Sequence, residues 1–122
     1  MREKHSANAP ALRPRFRVVC GKSIALGPGK VELLGLLVQT GSLSEAARRL
    51  RMSYMRAWTL VKTMNKCFRE PVAIAVRGGK AGGGMKITAS GRRALALYRK
   101  IESSALKSAD DPWQVLQTLL RD

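Results

Sequence analysis

The stretch from Leu43 to Leu60 constrains this chain more than any other. Counting Leu43 as the first position, Ala46, Ala47, Leu50, Met52, Ala57 and Leu60 fall at the fourth, fifth, eighth, tenth, fifteenth and eighteenth. Two short helices crossing steeply over a tight turn need this pattern, with an inner face apolar throughout and small where the backbones approach. Ala47 supplies the small side chain. The remaining positions carry Arg48, Arg49, Arg51, Tyr54, Arg56 and Lys62, which face outward. Arg51 stands in the turn where glycine is common. The spacing therefore predicts a helix-turn-helix, although a plain pair of packed helices with a solvated basic face satisfies the same pattern.

The flanking sequence supplies the rest of the fold. Residues 1–14 read as a flexible basic arm. Arg15 to Leu26 reads as a short hairpin around Gly21-Lys22, and Gly27-Pro28-Gly29 as a break. From Lys30 the period becomes helical, with Val31, Leu34, Leu37 and Val38 on one side and Gly41 as the stop. The first helix of the pair runs from Ser44 to Arg51. Ser42 and Glu45 form a capping box, in which the glutamate reaches back to the cap's N–H. The second helix runs from about Tyr54 to Phe68, capped by Ser53. Val72 to Val76 and Met85 to Ile87 read as strands joined by a glycine-rich tip. A helix from about Ser90 carries Leu95, Leu97, Tyr98, Ile101 and Leu106. Asp111-Pro112 opens a last helix, with Trp113, Leu116, Leu119 and Leu120 on one side. The expected class is mainly α with small β: a winged helix-turn-helix with a two-stranded wing, and C-terminal helices for dimerisation. In domains, residues 1–14 are the arm, 15–107 the winged helix-turn-helix and 108–122 the C-terminal helix.

Charge narrows the function. Lys and Arg total 23 against 8 acids, a net of +15. Such a field favours nucleic acid or another anionic surface. The basic residues concentrate in the arm, the helix pair and the strand pair, and thin towards the C-terminus. No apolar run approaches the roughly 18 residues of a membrane span, and the basic N-terminus lacks the apolar stretch of a secretory signal. A cytoplasmic location is expected. Cys20 and Cys67 have no close-spaced partner and His5 lies in the arm, so no zinc set assembles and the cysteines read as ordinary thiols. No nucleophile–base pair or paired carboxylate is visible, so an enzyme is not expected.

The outward face has the chemistry to read DNA. Arginine can bond guanine bidentately in the major groove, and Ser or Tyr can reach phosphate or base edges. The first turn of the second helix, Ser53, Tyr54, Met55 and Arg56, is expected to enter the groove, with Arg56 on a base and Ser53 and Tyr54 on base or phosphate. Thr59 and Lys62 continue that helix. Ser44, Arg48 and Arg49 support from the first helix, and Trp58 is assigned to the core. The run from Arg77 to Gly84 is not a phosphate-binding P-loop, because Ala81 follows Lys80 and a strand follows the glycines. It reads as the tip of a wing, with Arg77, Lys80 and Lys86 near phosphates.

The run Gly41-Ser42-Leu43-Ser44-Glu45-Ala46-Ala47, then Met52-Ser53-Tyr54, Ala57-Trp58 and Met64-Asn65, resembles the DNA-binding domain of ModE-type, molybdate-responsive transcriptional regulators, a LysR-like winged helix. Gly78-Gly79, Gly82-Gly83-Gly84, Ile87-Thr88 and Gly91 extend the resemblance, which spans roughly Arg13 to Ile101. It implies a homodimer on a palindromic operator in double-stranded DNA, with the first long helix and the C-terminal helices forming the dimer. Met55 and Thr59 depart from the family pattern, which often has a base and an acid there, so a different operator is implied. The family's C-terminal oxyanion-binding domains have no room before Asp122, and no cofactor is expected. The competing reading is a non-specific architectural DNA- or RNA-binding basic protein, although the low aromatic content of 5% argues against an RNA-stacking sheet.

Overall fold

The computed structural model of the protein describes residues 9–77 and 84–121. Residues 78–83, which include Lys80 and most of the expected tip, lie outside the described residues, as do His5 and the rest of 1–8.

Two strands, β1 (Val18–Cys20) and β2 (Ser23–Leu26), form an antiparallel hairpin. Gly21 makes the turn at φ +61°, a region open to glycine at little cost. Pairing begins at Val18, later than the expected Arg15, and the register slips between Val18 and Val19. Only β2 faces inward, burying Ala25 and Leu26.

Helix α1 (Pro28–Thr40) starts two residues before the expected Lys30. Proline needs no N–H partner in a first turn, so the Gly-Pro-Gly break becomes a helix start. The buried side is Val31, Leu33, Leu34 and Leu37, whereas Val38 faces out. Gly41 ends the helix at φ +65°, its N–H donating to Leu37 O at 2.9 Å.

Helices α2 (Leu43–Arg49) and α3 (Tyr54–Cys67) follow. The turn between them is a Schellman closure: Arg51 N–H bonds Arg48 O at 3.1 Å and Met52 N–H bonds Ala47 O at 3.0 Å. This stops α2 two residues short of the expected Arg51 and sets Arg51 at φ +58°. Leu43, Ala46, Ala47 and Ala57 are buried, and Leu50, Met52, Trp58 and Leu60 pack partly buried against the same core. The inner face predicted from spacing is the one that forms.

Strands β3 (Ala73–Val76) and β4 (Gly84–Ile87) pair antiparallel, Ala73 opposite Ile87 and Val76 opposite Gly84. Val72 precedes the strand yet is fully buried. Its N–H bonds Asn65 Oδ1 at 2.8 Å and its carbonyl accepts from Thr88 N at 2.9 Å. Met85 N–H donates to Gly41 O at 3.0 Å, which fixes this second hairpin to the corner between α1 and α2.

Helix α4 (Ala89–Ser108) is capped by Thr88, whose Oγ1 accepts from Gly91 N at 2.9 Å. Of its expected apolar residues, Leu95 and Tyr98 are buried and Leu97, Ile101 and Leu106 are exposed. Helix α5 (Asp110–Gln117) follows through Ala109 without a side-chain cap, so the cap expected from Asp111 does not form. Leu119 and Leu120 fall beyond its end. The fold is mainly helical, with two small two-stranded sheets and α1 at its centre touching β2, α2, α3, β4 and α4.

Candidate nucleic-acid interface

The turn and the two caps decide what α2 and α3 present. Ser42 Oγ accepts from Glu45 N at 3.1 Å, and Ser53 Oγ accepts from Arg56 N at 3.0 Å. These bonds satisfy otherwise orphaned donors of the first turns. Half of the expected capping box is missing, because Ser42 N–H donates to Thr40 Oγ1 at 3.1 Å and Glu45 turns elsewhere. Glu45 accepts from Arg48 through both carboxylate oxygens, at 3.1 and 2.5 Å, and from Arg49 Nε at 2.9 Å. The hydrogen bonds from Arg48, then Arg49, hold its carboxyl below the usual carboxylate range. Arg48 and Arg49 stay exposed, their charge partly offset by this one acid.

Ala57, Val61 and Met64 mark the buried side of α3. Helical spacing puts Met55, Thr59, Lys62 and Lys66 on the opposite, outer side, and all four are exposed. Lys66 belongs to this row and was missed from sequence, although its four-residue step from Lys62 is the signal that finds it. Thr59 Oγ1 donates to Met55 O at 2.9 Å, so its hydroxyl hydrogen is spent within the helix. Tyr54 lies on one flank, 51% exposed.

Arg56 lies on the other flank, towards the first hairpin. With Met52 and Leu60 it lines a cavity of about 270 Å³, together with Arg15, Arg17, Ile24 and residues 27–30. Lys30 Nζ donates to Ile24 O at 2.6 Å. Burial lowers the Lys30 ammonium, and the charge of Arg56 adds to that effect. Ser44 is exposed on α2, and Arg77 and Lys86 are exposed on the second hairpin.

The two cysteines meet in space across 47 positions. The Cys20 thiol donates to Cys67 O at 3.9 Å, and a thiol hydrogen bond with Cys20 followed by burial pushes the Cys67 thiol up. Both are free thiols, and no group of three metal-ligating side chains occurs among the described residues.

No protein-family model matches the chain. It is 39% identical over 102 residues to the molybdenum-pterin-binding protein MopB of Rhodobacter capsulatus, an alignment covering 77% of this chain and 38% of that protein. It is 40% identical over 78 residues to the molybdenum transport protein ModE of Azotobacter vinelandii, covering 64% of this chain and 29% of the relative. It is 31% identical over 83 residues to the DNA-binding transcriptional dual regulator ModE of Escherichia coli K12, covering 68% and 32%. The chain's homologues are thus Mop and ModE proteins, of whose length it spans roughly a third. Their names are those of regulators, transport proteins and molybdenum-binding proteins, not of enzymes.

One expectation is overturned by these relatives. No cofactor was expected, on the ground that molybdate-binding domains are absent. MopB is named for binding a molybdenum pterin, and the stretch compared is 38% of it. An association with a molybdenum group therefore belongs to the proteins this chain is similar to, and the end of the chain at Asp122 is no argument against it.

Proposed function

We propose that the chain is the DNA-binding part of a ModE-type transcriptional regulator, acting as a homodimer in the cytoplasm on genes of molybdenum uptake or use. In this reading α2, its Schellman turn and α3 are a helix-turn-helix, with α3 in the major groove and the β3–β4 hairpin beside it as a wing. The observation that carries it is the outer row of α3. Met55, Thr59, Lys62 and Lys66 are exposed, free of acid, and flanked by Tyr54 and Arg56. Ser44, Arg48 and Arg49 on α2, Ser53 at the turn, and Arg77, Lys80 and Lys86 on the wing join them as contacts. Met55 and Thr59 offer apolar surface suited to a thymine methyl group. The name of the Escherichia coli relative gives DNA binding to that protein, which supports the reading. No helix among the described residues is long and apolar enough to cross a membrane.

The test is selection of bound sequences from a random duplex library. An enriched palindrome with half-sites about 34 Å apart is the expected result. Binding that enriches nothing and collapses with salt would assign the protein to non-specific phosphate contact, the alternative that a net charge of +15 favours.

A further inference from the structure

The cavity beside α3 gathers four cations from three separate parts of the chain. Arg15 and Arg17 come from the segment before β1, Lys30 from the first turn of α1, and Arg56 from α3. Among the described residues the only ion pairs are those of Glu45 with Arg48 and Arg49, so none of the four has an acidic partner there. Lys30 and Arg56 are close enough for like charges to act on each other, and what Lys30 meets on the protein side is the Ile24 carbonyl at 2.6 Å and the Cys67 thiol, not a carboxylate. The first turn of α1 closes one wall, and no side chain caps it. An uncapped helix start adds partial positive charge to the four side chains. The space, about 270 Å³, accommodates a phosphate group with several waters, each of which takes about 30 Å³. The cavity is rimmed by Met52 of the α2–α3 turn and by Leu60 of α3. It therefore opens next to the groove-facing row without belonging to it.

We propose that this cavity seats one backbone phosphate of the DNA duplex, held by Arg15, Arg17, Lys30 and Arg56, so that Arg56 anchors the phosphate while Met55, Thr59, Lys62 and Lys66 face the bases. The proposal rests on the DNA-binding reading above and gives Arg56 a different task from the base contact expected from sequence. Phosphate contacts set position and carry no sequence information. Arg56 and Arg17, drawn from segments some forty residues apart, therefore act as a pair.

The experiment titrates a random-sequence duplex and the selected palindrome against the protein and its Arg17→Gln, Arg56→Gln and double variants, by fluorescence anisotropy over a series of salt concentrations. Each single variant is expected to weaken both duplexes by the same factor, roughly eightfold at 0.1 M salt, and to make the slope of log affinity against log salt shallower by about 0.9. The double variant should lose less than the product of the two, because one phosphate is shared. Arg17→Lys should restore the slope. An Arg56→Gln variant that relaxes preference between the duplexes, beside an Arg17→Gln variant that changes nothing, overturns the proposal. So does saturable binding of inorganic phosphate that Arg17→Gln abolishes while duplex affinity stays unchanged, which would make the cavity a free-oxyanion site. If the unaltered protein binds no duplex, the DNA-binding reading itself falls.

Discussion

Arg51 sits at φ +58°, where an L side chain is crowded by its own backbone. It stays there because two bonds close the turn around it, from Arg51 N to Arg48 O and from Met52 N to Ala47 O. Arg51→Val should therefore cost about 1–2 kcal/mol, since a β-branched chain fits this region worst. Arg51→Gly should cost nothing measurable, because strain relief of about that size is offset by roughly 0.5–1 kcal/mol of extra unfolded-chain entropy. Urea midpoints of the two variants check the pair, and equal losses would contradict the account. The anomaly was legible in the sequence as an arginine at a glycine position, and its geometry follows the rule that made it anomalous. Glu45 was legible only in part. Ser42 caps as spacing demanded, but Glu45 had three competing donors, and two arginines won over a backbone N–H already held by Thr40.

Elements were read best where one face alone is buried. The α2–α3 pair is such a case, and its inner residues follow the spacing from Leu43 to Leu60. Helix α1 is not, because it packs against neighbours on several sides. Leu33 and Leu34 are both fully buried, so the true stripe is broader than the four-residue face that periodicity suggested, and Val38 falls outside it. Helix α5 buries no residue, leaving periodicity with nothing to report. The junction of β4 with α4 shows why glycine stands at position 91. A Cβ there would meet Val72 O at 2.1 Å and Ile87 Cγ1 at 2.7 Å. The first clash is with the backbone carbonyl that accepts from Thr88 N, which a rotamer change cannot relieve. Gly91→Ala should destabilise by about 3 kcal/mol or more, at the upper end of overpacking costs. A clear fall in thermal midpoint is expected, while Ser90→Ala, which removes only an exposed bond to Glu70 at 3.0 Å, should leave the midpoint nearly unchanged.

Across the whole molecule the apolar surface is unevenly spent. Leu97 and Ile101 are about half exposed on α4, and Val115 and Leu116 are 66% and 49% exposed on α5. Where exposed apolar side chains form a contiguous patch they mark an interaction surface, and the proposed homodimer would give these residues a use. The chain should sediment as a dimer. Leu97→Glu with Ile101→Glu should return it to monomer without loss of helical circular dichroism, since neither side chain belongs to the core. If the unaltered chain sediments as a monomer, these residues have another role. The four-cation cavity lay beyond sequence reasoning altogether, because Arg15, Arg17, Lys30 and Arg56 share no period and meet only through the packing of β2 on α3. That packing has a temporal side. Tyr98 Oη donates to Phe16 O at 2.7 Å, joining positions 82 apart, and Phe16 is the residue between Arg15 and Arg17. Closing so long a loop comes late, after the nearer contacts have formed. During synthesis the helix pair can therefore assemble while the N-terminal segment is held only through β2. The segment carrying Arg15 and Arg17 gains this second tether only after α4 has left the ribosome, so a nascent chain cut before α4 would hold those two arginines through the packing of β2 on α3 alone.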